Sequence, residues 1–305
     1  MAAAGALGAL QPAYASPLMK YLNGRMPKTP SGWFDENLVV FISDLHCNPE
    51  GYQPGKLRKV VSEILAMKPL PRNVIALGDL AYLTGQSHEY AFLKPVLAPL
   101  EEAGITLTLA MGNHDRRLEF GEAFPDQAAK SVFKDRYTYI VNTPHADFIV
   151  LDSLQEGEDK TTWITPGALN DKQKTWLSET LASYTKPVFV CAHHPLGETG
   201  ITSMISRAPS CCGYIYGHCH RWRKDWTEVW GDGSHVVRTL CMPSTGHWGD
   251  IGYVTVRLSG EKAVATLHVD DFFFPVPPEN PADAPAQWKI FPKELDGDCC
   301  TFSLK

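Results

Sequence analysis

Short apolar runs alternate with segments of helical periodicity along the first third of the chain. Three apolar runs predict buried strands, at 37–42, 73–77 and 105–111. Between them, 57–67 and 88–100 carry apolar residues at helical spacing, although Pro95 and Pro99 are expected to kink or end the second helix. A strand–helix–strand order with this spacing predicts βαβ units and parallel strands.

Beyond residue 120 the pattern becomes richer in strands. A hairpin and two further strands are expected at 137–141, 147–151, 188–192 and 213–216, and helices at 120–130 and 169–181. The segment 197–209 is expected to be a mobile loop or a short helix. Runs that alternate polar and apolar residues resemble antiparallel strands of a second sheet, at 222–230, 234–240, 253–258 and 263–269. The Pro-rich segment 271–305 has no clear periodicity and is expected to pack as an extended tail.

Composition narrows the class of protein. The chain has 305 residues, 44% of them hydrophobic, which suits a globular protein with a sizeable core. A net charge of -6 and the lack of a basic run argue against a nucleic-acid partner. No apolar stretch of the sequence is long enough to span a membrane.

The N-terminal residues resemble the back half of an export signal. They are small and apolar, and Ala13-Tyr14-Ala15 is similar to a cleavage site, although the basic segment of a signal peptide is missing. We therefore expect an exported protein, periplasmic or extracellular; the alternative is an Ala-rich N-terminus of a cytoplasmic one. The expected organisation is an arm at 1–36, a main domain at 37–270 and the tail at 271–305.

Eight cysteines include two adjacent pairs, Cys211-Cys212 and Cys299-Cys300. In an exported protein they would be free to oxidise. One cysteine of the tail pair is therefore expected to form a disulfide with one of the other pair. Cysteines beside candidate ligands are expected to stay reduced, namely Cys47, Cys191 and Cys219.

Predicted strands end in clusters of Asp, Asn and His. The clusters are Ser43-Asp44-Leu45-His46, Gly78-Asp79, Gly112-Asn113-His114-Asp115, His193-His194-Pro195 and Gly217-His218-Cys219-His220. Residues i and i+2 of an extended strand end point the same way, so Asp44 converges with His46, and His218 with His220. Parallel pairing also brings Asp79 out at the same sheet edge as Asp44. Each cluster alone has an ordinary explanation as a helix cap or polar turn, but five together predict a metal site.

The ordered pattern D-x-H, G-D, G-N-H-D, H-H-P and G-H-x-H closely resembles the calcineurin-like metallophosphoesterase family, over roughly residues 38–269. The resemblance implies an α/β fold, a two-sheet mixed β-sandwich flanked by helices, with a dinuclear metal centre at the strand ends. It also implies a first metal held by Asp44, His46 and His220, a second held by Asn113, His193 and His218, a bridging Asp79, and His114 as the group that protonates or stabilises the leaving group.

Such a centre would hydrolyse phosphate esters by attack of a metal-bound hydroxide. The ligand types suit two ions of Fe, Mn, Zn or Co and do not choose among them. The expected substrate is a small-molecule phosphate ester, with a phosphodiester favoured. A phosphomonoesterase is the alternative, and a non-catalytic interaction scaffold is a more distant one.

Two further features bear on the subfamily. Tyr82 follows Asp79 at the spacing of the tyrosine ligand in purple acid phosphatases, although an aromatic packing residue is the favoured explanation. The segment from Gly112 through Arg117 resembles bacterial class III cyclic-nucleotide phosphodiesterases and glycerophosphodiesterases. By that resemblance Arg117 would contact the phosphate or a neighbouring loop, and an ordinary surface salt bridge is the equal alternative. His194 is a second candidate for substrate contact.

Overall fold

The computed structural model describes residues 33–51, 53–159, 161, 166–224, 227–230, 235–246, 249–273 and 292–304. The predicted export-signal remnant lies outside the described residues, as does the N-terminal arm up to residue 32. No helix in the described ranges has the length and apolar character needed to cross a membrane.

Twelve strands and seven helices follow one another along the described chain. The strands are β1 (Phe34–Ile42), β2 (Leu70–Ala76), β3 (Thr106–Leu109), β4 (Tyr139–Asn142), β5 (Asp147–Val150), β6 (Val188–Ala192), β7 (Cys211–Tyr216), β8 (Thr227–Trp230), β9 (His235–Cys241), β10 (Gly249–Leu258), β11 (Lys262–Phe273) and β12 (Cys299–Ser303). The helices are α1 (Gln53–Ala66), α2 (Ser87–Glu102), α3 (Arg117–Ala123), α4 (Pro125–Lys130), α5 (Asp171–Ser183), α6 (Leu196–Thr199) and α7 (Thr202–Ser206), and a 3-10 helix spans Pro292–Leu295.

The strands form two mixed sheets of six strands each, in the orders β12-β11-β10-β1-β2-β3 and β4-β5-β6-β7-β9-β8. In the first sheet β1, β2 and β3 are parallel, whereas β10 runs antiparallel to β1. In the second sheet β5, β6, β7 and β9 are parallel, whereas β4 and β8 pair antiparallel at its edges. The predicted βαβ units and the predicted hairpin are therefore confirmed.

The main core lies between the two sheets. Phe41 of the first sheet meets Phe148 of the second edge to face, with ring centroids 5.5 Å apart. Phe148 stacks on Phe189 at 5.3 Å. Buried side chains of α1 and α2 join this core, while a smaller one forms where the second sheet meets α5. The predicted sandwich of two mixed sheets flanked by helices is confirmed.

Helix α2 continues through both of its prolines, so the expected break does not occur. Each proline removes one backbone donor, which ordinarily destabilises a helix interior. The helix nevertheless buries residues at helical spacing along its whole length, namely Tyr90, Leu93, Val96, Leu97 and Leu100. This continuous apolar face against the core favours the helix more strongly than the two lost hydrogen bonds disfavour it.

The four alternating runs do not share one sheet, which corrects the prediction. Strands β8 and β9 extend the second sheet, but β10 and β11 join the first. Strand β1 has β2 on one side only, and its other edge would expose unpaired backbone groups in a buried position. Strand β10 pairs with that edge, with Val39 opposite Val256 and Val40 opposite Thr255.

Part of the predicted tail is also a strand. Residues Cys299–Ser303 form β12, which pairs with β11, and Cys300 lies opposite Ala265. Burial alternates along β12, so that Cys300 and Phe302 face the core while Cys299 is exposed. All eight cysteines lie in the described ranges and are free thiols there, so the expected disulfide is absent. Strand pairing and Phe302 packing edge to face on Phe189, at 5.2 Å, hold this segment instead.

Candidate metal centre

All five predicted clusters meet at one edge of the sandwich. They follow the carboxyl ends of β1, β2 and β6, the loop after β3, and the end of β7. Every metal-ligand residue predicted from the sequence is there, and all but His218 are buried. The residues are Asp44, His46, Asp79, Asn113, His193, His218 and His220.

The first group consists of Asp44, His46, Asp79 and His220, and its donor atoms face one another. His220 Nε2 lies 3.1 Å from Asp44 Oδ1 and 3.3 Å from His46 Nε2. His46 Nε2 lies 3.4 Å from Asp79 Oδ2. Two carboxylates and two imidazoles therefore surround a single point.

The second group consists of Asn113, His193 and His218. Asn113 Oδ1 lies 3.1 Å from His193 Nε2 and 3.0 Å from His218 Nδ1. The two imidazole nitrogens are 3.3 Å apart. His194 lies beside them, and its ring can offer a further nitrogen to the same cluster.

Asp79 connects the two groups through one oxygen. Its Oδ2 lies 3.4 Å from His46 Nε2 in the first group and 3.2 Å from His193 Nε2 in the second. Its Oδ1 accepts a 2.8 Å hydrogen bond from the main-chain N–H of His114. Only Oδ2 is therefore directed towards both groups.

The spacing of these atoms fits metal ions. Two ligand atoms that lie about 2.1 Å from one ion and at right angles to each other are about 3.0 Å apart. The measured separations between neighbouring donor atoms in both groups run from 3.0 to 3.4 Å. Imidazole, carboxylate and amide donors are ligands for divalent transition metals. The residues present therefore fit two ions.

The backbone at the site is strained. Asp44, His46, Asp79, His218 and His220 all have positive φ, from 39° to 66°, and within the described residues no other non-glycine does. A left-handed backbone is unfavourable for residues with a Cβ, so it persists only where the surrounding structure imposes it. The ends of β1, β2 and β7 all turn in this way to direct their side chains inward.

Main-chain carbonyls orient two of the imidazoles. The Nδ1–H of His46 donates to Tyr82 O at 3.1 Å, and that of His193 donates to Leu77 O at 2.7 Å. Because a carbonyl only accepts, these contacts place the proton on Nδ1 and leave Nε2 to face the site. The contact gives the main chain of Tyr82 a defined part in the site.

Charges in the site control its protonation. Burial alone would raise the pKa of Asp44, but the nearby His220 outweighs burial and lowers the pKa to about 2. The histidines around Asp79 likewise overcome burial and hold its pKa well below the usual value. Burial alone would lower the pKa of His193, but the negative charge of Asp79 outweighs burial and raises the pKa to about 10. Burial and His193 together lower the pKa of His218. Both carboxylates are ionised at neutral pH, and a cation would displace a proton from His193.

His114 lies at the rim of the site, with its side chain 12% exposed. Its Nδ1–H donates to Leu83 O at 2.9 Å. Its Nε2 lies 4.0 Å from Asp79 Oδ2. The ring therefore turns one nitrogen towards the protein and the other towards the space beside Asp79.

The two candidate substrate contacts lie against the loop after β5. Arg117 binds Asp152 through two hydrogen bonds of 2.7 and 2.8 Å and reaches Glu156 at 3.1 Å. This geometry favours the loop contact over the phosphate contact for Arg117. His194 Nδ1 lies 2.8 Å from Ser153 Oγ, so its other nitrogen faces the second ligand group.

Asp115 is an important residue whose separate role the sequence did not reveal. It is fully buried and accepts hydrogen bonds from the main-chain N–H groups of Gly112, Leu80 and Ala81 at 2.8 to 3.2 Å. It also accepts one from Tyr90 Oη at 3.0 Å. Asp115 thereby joins the turns that carry Asp79 and Asn113. Its position directly after the G-N-H motif was the only available signal.

Residues distant in sequence support the first ligand turn. Ser244 Oγ donates to Asp44 O at 3.0 Å, and Thr245 Oγ1 accepts from Ser43 N at 3.2 Å. Both are buried. The sequence did not reveal this support, because nothing local marks a contact 200 residues away.

Comparisons with known proteins agree with this geometry. The family model described as Calcineurin-like phosphoesterase matches residues 38–222. A probable cyclic nucleotide phosphodiesterase of Rhodopseudomonas palustris is 30% identical over 211 residues, covering 62% of this chain and 71% of that protein. A protein with the same description from Psychrobacter arcticus is 29% identical over 199 residues, covering 59% and 67%.

Solved structures share the fold. A dimetal phosphatase from Danio rerio superposes with a TM-score of 0.58 at 15% identity, covering 75% of this chain and 95% of that one. A structure of PhoD superposes with a TM-score of 0.52 at 13% identity, covering 77% and 66%.

Proposed function

The chain belongs to the calcineurin-like phosphoesterase family of metal-dependent phosphoric ester hydrolases, and from this premise we propose that it is a dinuclear phosphodiesterase of small molecules. The substrate is a phosphate diester, and cyclic nucleotides are the first class to test. The curated relatives, described as probable cyclic nucleotide phosphodiesterases, support this choice.

The two ligand groups would hold one ion each, and Asp79 Oδ2 would contact both. When bound, such ions supply positive charge for the phosphate oxygens and make nearby water more acidic. The chain itself orients the donors, since carbonyls fix the rings of His46 and His193. The burial of Asp44 and Asp79 keeps bulk water away from the ligand atoms.

His114 would donate the proton that the leaving oxygen needs. Its Nδ1–H is held by Leu83 O, so Nε2 is the nitrogen that would carry and release that proton. The 4.0 Å separation between Nε2 and Asp79 Oδ2 places it beside the ligand groups without making it part of either. This is the position expected of a general acid.

The observation that carries the proposal is the backbone strain. Among the described residues every non-glycine with positive φ belongs to the ligand set. Strain of this kind costs on the order of 1–3 kcal/mol per residue and persists mostly at functional sites. A fold that had lost catalysis would have little reason to maintain it, which argues against the scaffold alternative.

A hydrolysis screen tests the proposal. Purified protein would be loaded with Fe, Mn, Zn or Co and assayed with bis-p-nitrophenyl phosphate, p-nitrophenyl phosphate and cyclic nucleotides. We expect faster turnover of the diesters and loss of activity in Asp79→Asn, but not in Asp171→Asn at the exposed start of α5. A preference for the monoester would favour the phosphomonoesterase. If the native protein and both variants are equally inactive, the scaffold alternative is favoured.

A further inference from the structure

We propose that Glu89 is a positioning residue that orients both His46 and His114 through the main chain of Tyr82 and Leu83. The inference rests on the proposed function, because it concerns how the proposed ligand and general acid are held. Glu89 lies in the first turn of α2 and is 3% exposed. It belongs to neither ligand group.

One peptide group joins Glu89 to His46. Glu89 Oε1 accepts a 2.7 Å hydrogen bond from Leu83 N. The carbonyl of the same peptide unit, Tyr82 O, accepts from His46 Nδ1 at 3.1 Å. Hydrogen bonds on the two sides of one peptide group polarise each other. The negative charge of Glu89 therefore strengthens the contact that orients His46.

The next carbonyl along the chain joins Glu89 to His114. Leu83 O accepts from His114 Nδ1 at 2.9 Å. Leu83 O belongs to the next peptide unit, one residue from the N–H that Glu89 binds, so Glu89 restricts where this carbonyl can lie. The Leu83 side chain is 45% exposed, so its main chain, rather than side-chain packing, makes the contact with the site.

Helix capping alone does not account for Glu89. Its Oε2 accepts from Gln86 N at 2.7 Å, which is the contact that a capping residue makes. Its other oxygen reaches past the helix to Leu83. Burying a carboxylate is unfavourable unless its oxygens are well hydrogen-bonded, and here each oxygen has a separate main-chain partner.

The loop is fixed from its opposite side as well. Asp115 accepts from Leu80 N and Ala81 N. A Cβ at Gly85, which has φ of 69°, would lie 2.6 Å from Arg116 N. The segment from Leu80 to Gly85 is thus held between two buried carboxyl groups, and Glu89 is the one bound beside the carbonyls that orient His46 and His114.

The test replaces Glu89 with Gln, which keeps the shape and removes the charge and one acceptor oxygen. The matched control is Glu101→Gln, at the exposed far end of the same helix. Metal affinity would be measured by competition with a chelator, and rates with esters of nitrophenyl and alkyl leaving groups. Glu89→Gln should weaken metal binding and slow the alkyl ester by roughly tenfold, the lower range for such supporting residues, while the control changes neither.

A double variant separates positioning from general structure. If Glu89 acts through His114, adding Glu89→Gln to His114→Ala should not slow hydrolysis of the alkyl ester any further when metal is saturating. At lower metal concentration only the weaker metal binding should reduce the rate. Losses that are equal for both esters, persist in the His114→Ala background and leave metal affinity unchanged would overturn the inference. Glu89→Asp, which keeps the charge, should restore part of the affinity, and it replaces Glu89→Gln if that variant unfolds.

Failure of the proposed function has a different signature. If His114→Ala itself slows both esters equally, His114 is not the general acid. The metal affinity of Glu89→Gln then decides the inference alone: weaker binding supports it and unchanged binding overturns it.

Discussion

The two ligand groups lie side by side but differ in charge. The first contains two carboxylates, on Asp44 and Asp79. The second has an amide and imidazoles as donors, and the only carboxylate near it is Asp79, which it shares with the first. A cation in the first group therefore faces two negative charges, and one in the second faces a single shared charge. We therefore expect the first group to bind an ion more tightly than the second.

The groups also differ in how the backbone holds them. All four residues of the first group have positive φ, but in the second only His218 does. Main-chain hydrogen bonds join the first two turns, from Asp44 N to Gly78 O at 3.1 Å and from His46 N to Asp79 O at 2.9 Å. The turns of His193 and His218 in the second group are joined as well, from Gly217 N to His193 O at 3.0 Å. The two groups therefore differ in their left-handed backbone rather than in main-chain bonding.

Removing the residue that the groups share should produce the largest effect. Asp79→Ala is expected to lower kcat/KM for a phosphodiester by at least about a hundredfold, since both ligand groups lose a donor. Asp79→Asn keeps the acceptor for His114 N and removes the charge, so it should bind less metal yet fold normally. Metal analysis and steady-state kinetics check both. A near-native rate in Asp79→Ala would show that Asp79 does not serve both groups.

His114 belongs to neither group, so its loss should leave both ions in place. His114→Ala is expected to retain the metals and to lose roughly a hundredfold in rate, as general acids usually contribute. The loss should be smaller for nitrophenyl esters, because a leaving group of low pKa needs no proton. Equal losses for nitrophenyl and alkyl esters would instead indicate that His114 only positions the phosphate.

The meeting of the five clusters was predictable from the sequence. Parallel βαβ units place the carboxyl ends of β1, β2 and β3 at one edge. Period-2 geometry predicted that Asp44 and His46 converge, and they do, but both lie beyond the end of β1 with left-handed φ, so the turn rather than an extended strand brings them together. Both patterns are visible in the sequence, and Gly78, Gly112 and Gly217 mark where three of the five apolar runs end.

The details that complete the site were not predictable, because they depend on distant contacts. The left-handed turns are imposed by main-chain bonds between strands and by Ser244 and Thr245. Period-2 alternation likewise shows that β10 has two different faces, but not which sheet edge it joins. The unpaired edge of β1 decides that, and this edge exists only once the first sheet has formed.

Stepwise removal of metal tests whether the difference in charge between the groups produces a difference in metal affinity. With increasing chelator, the ion of the second group should leave first, giving a species with one ion per chain. Asn113→Asp adds a carboxylate to the second group. It should reduce the ratio of the two metal dissociation constants by roughly tenfold, or about 1.4 kcal/mol. Metal analysis along the titration measures both steps. Simultaneous loss of the ions in the native protein would contradict the comparison.

The smallest expected effect is a proton released when the second group binds its ion. In the metal-free protein Asp79 raises the pKa of His193 to about 10, against a usual value of 6.5. This interaction stabilises the metal-free fold fully below pH 6.5, and the stabilisation is lost as pH rises towards 10. A cation must displace the proton, so affinity should rise about tenfold per pH unit across that window.

Calorimetry in buffers of different ionisation enthalpy counts the released proton at pH 8. We expect about one proton per second-group ion from His193 and none from His218, whose pKa is lowered by burial and by His193. Asp79→Asn removes the charge that holds the proton, so its release should disappear in that variant even where some metal still binds. Release that persists in Asp79→Asn would assign the proton to another group, and no release in the native protein would show that His193 is already neutral.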